Sequence, residues 1–203
     1  MARTPSITDE QILKAAREAF FESGLNATTA DIAARAGISE GTIFRRFPTK
    51  HDLFMAAMGL PACPGWVDTL DAFIDGSAGG SLTQNLTTLG HEILAFFEDL
   101  IPKMSMVMAS GTKELMPFEG LEEPPPVRGI KGLANYLNHE QRTGRMRACD
   151  PEIAARMYLG ALHMYAFADA MGINDFLPMP RQTYVRGVVD NLLRGIRADT
   201  PDE

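Results

Sequence analysis

Apolar side chains recur at helical spacing along almost the whole chain, and no segment shows the two-residue alternation of a half-buried strand. The first helix is predicted from about Thr8 to Ser23. Leu13, Ala16 and Phe20 form its buried stripe, Thr8 and Gln11 stand at capping-box spacing, Ile7 and Ile12 make a hydrophobic staple, and Gly24 is the stop. A short helix follows from Thr28, with Asp31 at capping distance and Ile32, Ala33 and Ala36 as its small apolar face; Gly37 supplies the turn. A second short helix starts at Ser39, and a fourth after Thr49, where Asp52 repeats the capping-box spacing. That fourth helix carries Leu53, Phe54, Ala57 and Met58 and ends near Gly59 and Pro61. Beyond it the pattern predicts a short helix from Trp66 to Ile74, a flexible Gly/Ser link at residues 76–81, and a long apolar helix from about Leu82 to Ser110, kinked or broken at Pro102. Residues 116–127 read as an acidic, proline-rich loop, and helices resume over 128–143, 151–171 and 180–197. The fold class is therefore all-α, with no internal repeat.

The two short helices hold the candidate chemistry. At about 100° per residue, Ile43 and Phe47 fall on one side of the second, while Thr42, Arg45 and Arg46 fall on the other. One side joins a core; the other is free to enter a groove. Small residues at a close helix crossing, a glycine turn, and a short helix with basic outer positions make the helix-turn-helix layout, whose second helix lies in the DNA major groove.

Over the run ATTADIAARAGISEGTIFRRFPTKHDLF the chain resembles the DNA-binding domain of the tetracycline repressor (TetR) family of bacterial transcriptional regulators. The Gly37-Ile38-Ser39 turn, the Gly41-Thr42 pair, the aromatic at Phe44, the basic pair and the segment from Phe47 to Lys50 stand in the family's order and spacing. The resemblance covers about a quarter of the chain. It implies an N-terminal three-helix helix-turn-helix domain, residues 1–50, followed by a larger helical ligand-binding and dimerisation domain, residues 51–203. It also implies a sensor that diverges with its ligand, and a fourth helix that links reader to sensor. Three features depart from the family: Phe44 stands where tyrosine is usual, Glu40 where lysine is frequent, and prolines 61 and 64 follow the linking helix early.

A formal net charge of −7 argues against a general polyanion binder, but its distribution changes the picture. Residues 1–58 hold seven basic and seven acidic groups, so the excess negative charge lies wholly in the remainder. From Arg45 to Lys50 there are three positive charges and no negative one, and at physiological salt local charge within about 8 to 10 Å governs phosphate contact. No apolar run reaches the roughly 20 residues of a membrane span, and the N-terminus lacks the apolar core of a signal peptide, which predicts a cytoplasmic protein with no membrane partner. Cys63 and Cys149 show no metal or redox spacing and read as buried or incidental thiols. The sequence contains no nucleophile elbow, phosphate-cradling glycine loop or HExxH motif, so no enzyme activity, cofactor or metal is expected. The acidic pairs Glu114/Glu119 and Glu122/Glu123 read as solvated surface.

Three groups of residues follow as site candidates. For double-stranded DNA, Thr42, Arg45 and Arg46 are expected at the groove, Gly41 permits close approach, Phe44 packs beside them, Thr29 and Lys50 hold phosphates, and Arg3 reaches from a flexible arm. For a small hydrophobic or aromatic effector, the candidates are Phe73, His91, Leu94, Phe97, Met104, Met108, Phe118, Met157, His163, Met164 and Phe167, with Met106 and Met116 in the same pool. The plain alternative for each is ordinary core. For a homodimer they are Gly160, Tyr165, Tyr184, Val185, Val188, Leu192 and Ile196, because the apolar sectors of the last two helices are too broad for one core stripe; the alternative is a hairpin buried within the monomer. The expected function is a ligand-responsive repressor bound to a palindromic operator as a homodimer. A constitutive regulator, or a helical ligand-binding protein or enzyme with an accessory reader, are the other readings.

Overall fold

The structure is a computed structural model that describes residues 7–60, 64–109 and 122–195. Among the described residues there is no strand. The helices are α1 (Asp9–Ser23), α2 (Thr29–Ala36), α3 (Glu40–Phe44), α4 (Lys50–Ala57), α5 (Trp66–Ile74), α6 (Leu82–Ala109), α7 (Pro125–Arg142), α8 (Pro151–Ala170) and α9 (Arg181–Arg194). They form two compact units, one with α1 to α4 and the part of α6 from Pro102 onward, the other with α5, α6 as far as Ile101, α7, α8 and α9.

In the first unit the local signals in the sequence act as read. Thr8 caps α1 in a full capping box with Gln11, Thr49 does the same for α4 with Asp52, and the Thr28 hydroxyl accepts the Asp31 N–H to start α2. Gly37 closes α2 at φ +68°, a left-handed conformation that costs a residue with a Cβ about 1 to 2 kcal/mol. Ile12, Ala16, Phe20, Ile32, Ile43, Leu53 and Ala57 are almost wholly buried, and the Phe20 and Phe54 rings meet edge-on at 5.1 Å. Arg17 ties α1 to α4 by donating from Nε to the Ala57 carbonyl at 2.9 Å.

The second unit is built around a crossing of α6, α8 and α9. Gly90 sits at that point: a Cβ there would lie 2.5 Å from the Tyr158 hydroxyl oxygen and 2.7 Å from a Val185 methyl. Tyr158 donates its hydroxyl to the Leu86 carbonyl, so it is fixed in place. At the α9 end, Arg181 donates to the His91 carbonyl at 2.7 Å and pairs with Glu98 at 3.2 Å, while Tyr184 donates to the Ala161 carbonyl at 2.8 Å. A buried polar chain pins the α7 end: Asn85 donates to the Tyr136 hydroxyl, and Glu140, with no exposed surface, pairs with Arg145 at 2.7 Å. Burial pushes both Tyr136 and Tyr158 well above the usual tyrosine range.

Several expectations need correction. The long helix is not broken at Pro102 but runs through it, because one lost backbone donor on an exposed face is tolerated when the flanking turns are packed. Residues 125–127 are helical rather than loop, since Pro125 opens α7 at the position where a missing N–H costs nothing; the rest of that loop up to residue 121 lies outside the described residues. The Gly/Ser link is held by specific bonds instead of being a free tether: the Ser77 N–H donates to Asp75, the Gly80 N–H to Asn85 and the Ser81 N–H to Gln84. The fourth helix, expected as the link from reader to sensor, lies within the first unit, and α6 begins in one unit and ends in the other.

Candidate nucleic-acid interface

The turn between α2 and α3 is made by Gly37 and Ile38, whose N–H groups donate back to Ala34 and Ala33 at 3.2 and 3.0 Å. It brings α3 against α2, with Ile43 fully buried as the anchor. The regular α-helix is shorter than the sequence suggests, ending at Phe44; Arg45 remains in right-handed helical conformation, and the Arg46 and Phe47 N–H groups both donate to the Ile43 carbonyl, tightening the final turn. Gly41 is exposed, with nothing within 4 Å of where a Cβ would stand. Phe44 is 41% exposed, a large apolar ring left in water. Arg45 is exposed and makes no hydrogen bond or ion pair among the described residues.

The remaining polar candidates are already engaged. The Ser39 and Thr42 hydroxyls lie 2.9 Å apart. Arg46 turns onto Asp9 of α1, with Nη1 2.7 Å from the carboxylate. Thr29, at the first position of α2, donates its hydroxyl to the Glu40 carboxylate. Lys50 begins α4 and is half-buried. Arg3 lies outside the described residues. Sequence reasoning missed the roles of Asp9 and Glu40 as partners. Spacing along one helix carries no information about a carboxylate 37 residues away in sequence.

The effector candidates divide. Leu94 has no exposed surface and Phe73 almost none, so both belong to the packed core of the second unit. His91 is half-buried and gives its carbonyl to Arg181. Phe97, His163 and Phe167 do come together, with His163 edge-on to Phe97 at 5.1 Å and stacked on Phe167 at 6.5 Å; Phe96, not singled out from the sequence, extends the row at 5.5 Å from Phe97. Met157 and Met164 instead point outward, 63% and 52% exposed. Met104 is half-buried in the first unit, Met106 and Met108 lie on α6, and Met116 and Phe118 lie outside the described residues.

The outer surface of α8 carries an apolar stripe along its length, beside exposed charged residues such as Glu152, Arg156 and Asp169. Ile153, Met157, Gly160, Met164, Phe167 and Met171 follow one another at spacings of four, three, four, three and four, which is a single helical stripe. Its large members are 37% to 63% exposed. On α9, Val185 was expected at a dimer surface but is wholly buried against its own chain, as is Val189. Tyr184, Val188 and Leu192 are half-buried and flank a groove of about 610 Å3 between α8 and α9, which Met157 and Ala161 also line. The Tyr165 and Tyr184 rings touch at 4.5 Å. Gly160 and Gly187 have open space where a Cβ would be. Ile196 lies outside the described residues.

Residues 12–57 match the family model for bacterial regulatory proteins of the tetR family, and residues 84–195 match that of the AefR-like transcriptional repressor C-terminal domain. The chain belongs to the TetR family of transcriptional regulators. The HTH-type transcriptional regulator Rv2250c of Mycobacterium tuberculosis is 32% identical over 161 residues, 78% of this chain and 80% of that protein. Solved structures share the whole fold of this TetR-family regulator. The flavonoid-responsive regulator FrrA superposes with a TM-score of 0.61 at 19% identity over 95% of this chain and 98% of its own. The fatty acid degradation regulator FadR of Bacillus halodurans does so at 0.54, with 18% identity over 94% and 100%. The all-α architecture and the helix-turn-helix DNA-binding class expected from the sequence hold, and among the described residues no helix is long and apolar enough to cross a membrane.

Proposed function

We propose that this TetR-family regulator is a ligand-responsive repressor that binds a palindromic double-stranded operator as a homodimer and is released by a small hydrophobic or aromatic effector. The observation that carries the reading is the bare apolar stripe of α8 in a chain with one DNA-reading head. Five large apolar side chains in one line make a patch of a kind soluble monomers rarely leave in water. A second copy laid on it buries that stripe at roughly 25 cal/mol per Å2 and supplies the second head. Two heads about 34 Å apart then meet successive major grooves. Gly160, in the middle of the stripe, lets two helices approach; Tyr165, Tyr184, Val188 and Leu192 complete the face.

On DNA, Thr42, Arg45 and Arg46 read the groove, Gly41 allows close approach, Phe44 packs on the backbone, Thr29 and Lys50 hold phosphates and Arg3 reaches alongside. Residues 1–50 are the reader and 51–203 the sensor and dimerisation domain. Regulators named for flavonoid response and for fatty acid degradation share the fold, and the row from Phe96 to Phe167 offers aromatic surface; both support an apolar effector. The effector acts by binding one spacing of the heads more tightly than the other, whatever its absolute affinity.

The test of the dimer is Met164→Glu, chosen over a valine of α9 because Met164 is half exposed and touches little of its own core. Sedimentation should report a folded monomer that has lost its operator; a persistent dimer with intact operator binding overturns the reading. A thermal-shift screen of apolar compounds, followed by operator release, tests the effector. Compounds that bind tightly and leave operator affinity unchanged favour a constitutive regulator.

A further inference from the structure

Two of the donors assigned to DNA are occupied by the protein's own carboxylates. Arg46 Nη1 lies 2.7 Å from Asp9 Oδ1, and the Thr29 hydroxyl donates to Glu40. A carboxylate presents the same charge and the same kind of acceptor oxygen as a phosphate, so each acid holds its donor much as the DNA backbone would. Neither acid is needed to satisfy a buried group: Asp9 is 65% exposed and Glu40 is exposed as well. Residues 1–58 carry no net charge, so these two acids cancel a large part of the attraction that the basic pair and Lys50 exert on a duplex. Arg45, by contrast, has no partner among the described residues.

From this arrangement we infer that Asp9 and Glu40 are affinity-limiting residues, internal competitors for the DNA backbone. The inference rests on the DNA-reading proposal above. On a non-cognate duplex nothing repays the exchange, so Arg46 stays on Asp9, Thr29 stays on Glu40, and binding loses two of its backbone-directed donors. Its affinity falls by no more than the worth of those two backbone contacts. On the operator, the base contacts of Arg45 and Thr42 hold the head in a register where Arg46 and Thr29 leave their carboxylates for DNA. There the full cost of breaking both pairs is drawn from the binding energy, so the two acids lower operator affinity by at least as much as non-specific affinity, and they set how tightly the head holds its site.

The experiment uses the full-length protein, Asp9→Asn and Glu40→Gln, a duplex enriched from a random pool by the wild type, and a scrambled duplex of the same composition. Thermal unfolding confirms that each variant is folded. Affinity for both duplexes should rise several-fold at low salt in both variants, for the enriched duplex by at least as much as for the scrambled one. In Asp9→Asn, the plot of log affinity against log salt on the scrambled duplex should steepen by about 0.9, one additional phosphate contact. A purely structural role for Asp9 leaves that slope unchanged. A wild type that discriminates the duplexes, with variants unchanged in affinity and slope, overturns the inference while the DNA-reading proposal stands. A wild type that binds both duplexes alike overturns that proposal and the inference with it.

Discussion

Arg45 is an exposed basic residue of α3's outer side with no partner among the described residues, and its replacement gives the most direct residue-level test of recognition. If it contacts a guanine, Arg45→Ala should lower operator affinity by about 1 to 3 kcal/mol, measured by fluorescence anisotropy. Gly41 allows a sharper separation of fold from function. Its Cβ position is empty in the chain alone, so Gly41→Ala should raise stability in urea unfolding by roughly 0.5 to 1 kcal/mol through helix propensity. The same methyl would stand between α3 and the groove, and operator affinity should drop. Gly90 shows the opposite case. Gly90→Ala drives a methyl into Tyr158 and Val185, neither of which can retreat, and should cost about 1 to 3 kcal/mol of overpacking. The two glycines look alike as letters inside helical segments; what surrounds them separates them.

At the scale of elements, α6 and α8 carry the features that a helical pattern describes least completely. Pro102 lies in the interior of α6, where it removes one backbone hydrogen bond. Pro102→Ala should restore that bond, and thermal unfolding should show a gain of up to about 3 kcal/mol. A loss of stability would mean that the proline holds a bend the surrounding chain requires. In α8 the buried residues, Ala154, Ala155, Tyr158, Leu162 and Ala166, face the core while an apolar stripe also runs along the exposed side. Covering that stripe is the role proposed above for a second copy of the chain.

For the whole molecule, the alkaline limit of stability follows from Tyr136 and Tyr158. Burial raises both, so the folded chain favours their neutral forms. Their contribution is complete below the unfolded tyrosine value, about 10, and is lost as pH rises above it. Phenolate absorbance should therefore show two of the four tyrosines ionising only as the chain unfolds. If all four titrate reversibly in a folded protein, the second unit is looser around α7 and α8 than its packing implies. Arg145→Ala bears on the same region: it leaves the buried Glu140 carboxylate without its ion-pair partner and should cost about 1 to 3 kcal/mol.

The sequence by itself determined the helical class, the boundaries of α1, α2, α4 and α5, the αL turn at Gly37 and the family, because caps, turn glycines and 3.6-residue periodicity act over a few residues and leave their mark in the letters. It also marked Thr29, Gly41, Thr42 and Arg45 as reader candidates, through motif spacing that survives in one short segment. Only the tertiary structure decided that Val185 is core while Met157 and Met164 are surface, since an apolar residue on an apolar helix says nothing about which face meets its own chain. Only the tertiary structure brought Asp9 to Arg46 and Glu40 to Thr29, and Gly90 against Tyr158. Those pairings join residues far apart in sequence, and their energies depend on distances that no local pattern encodes.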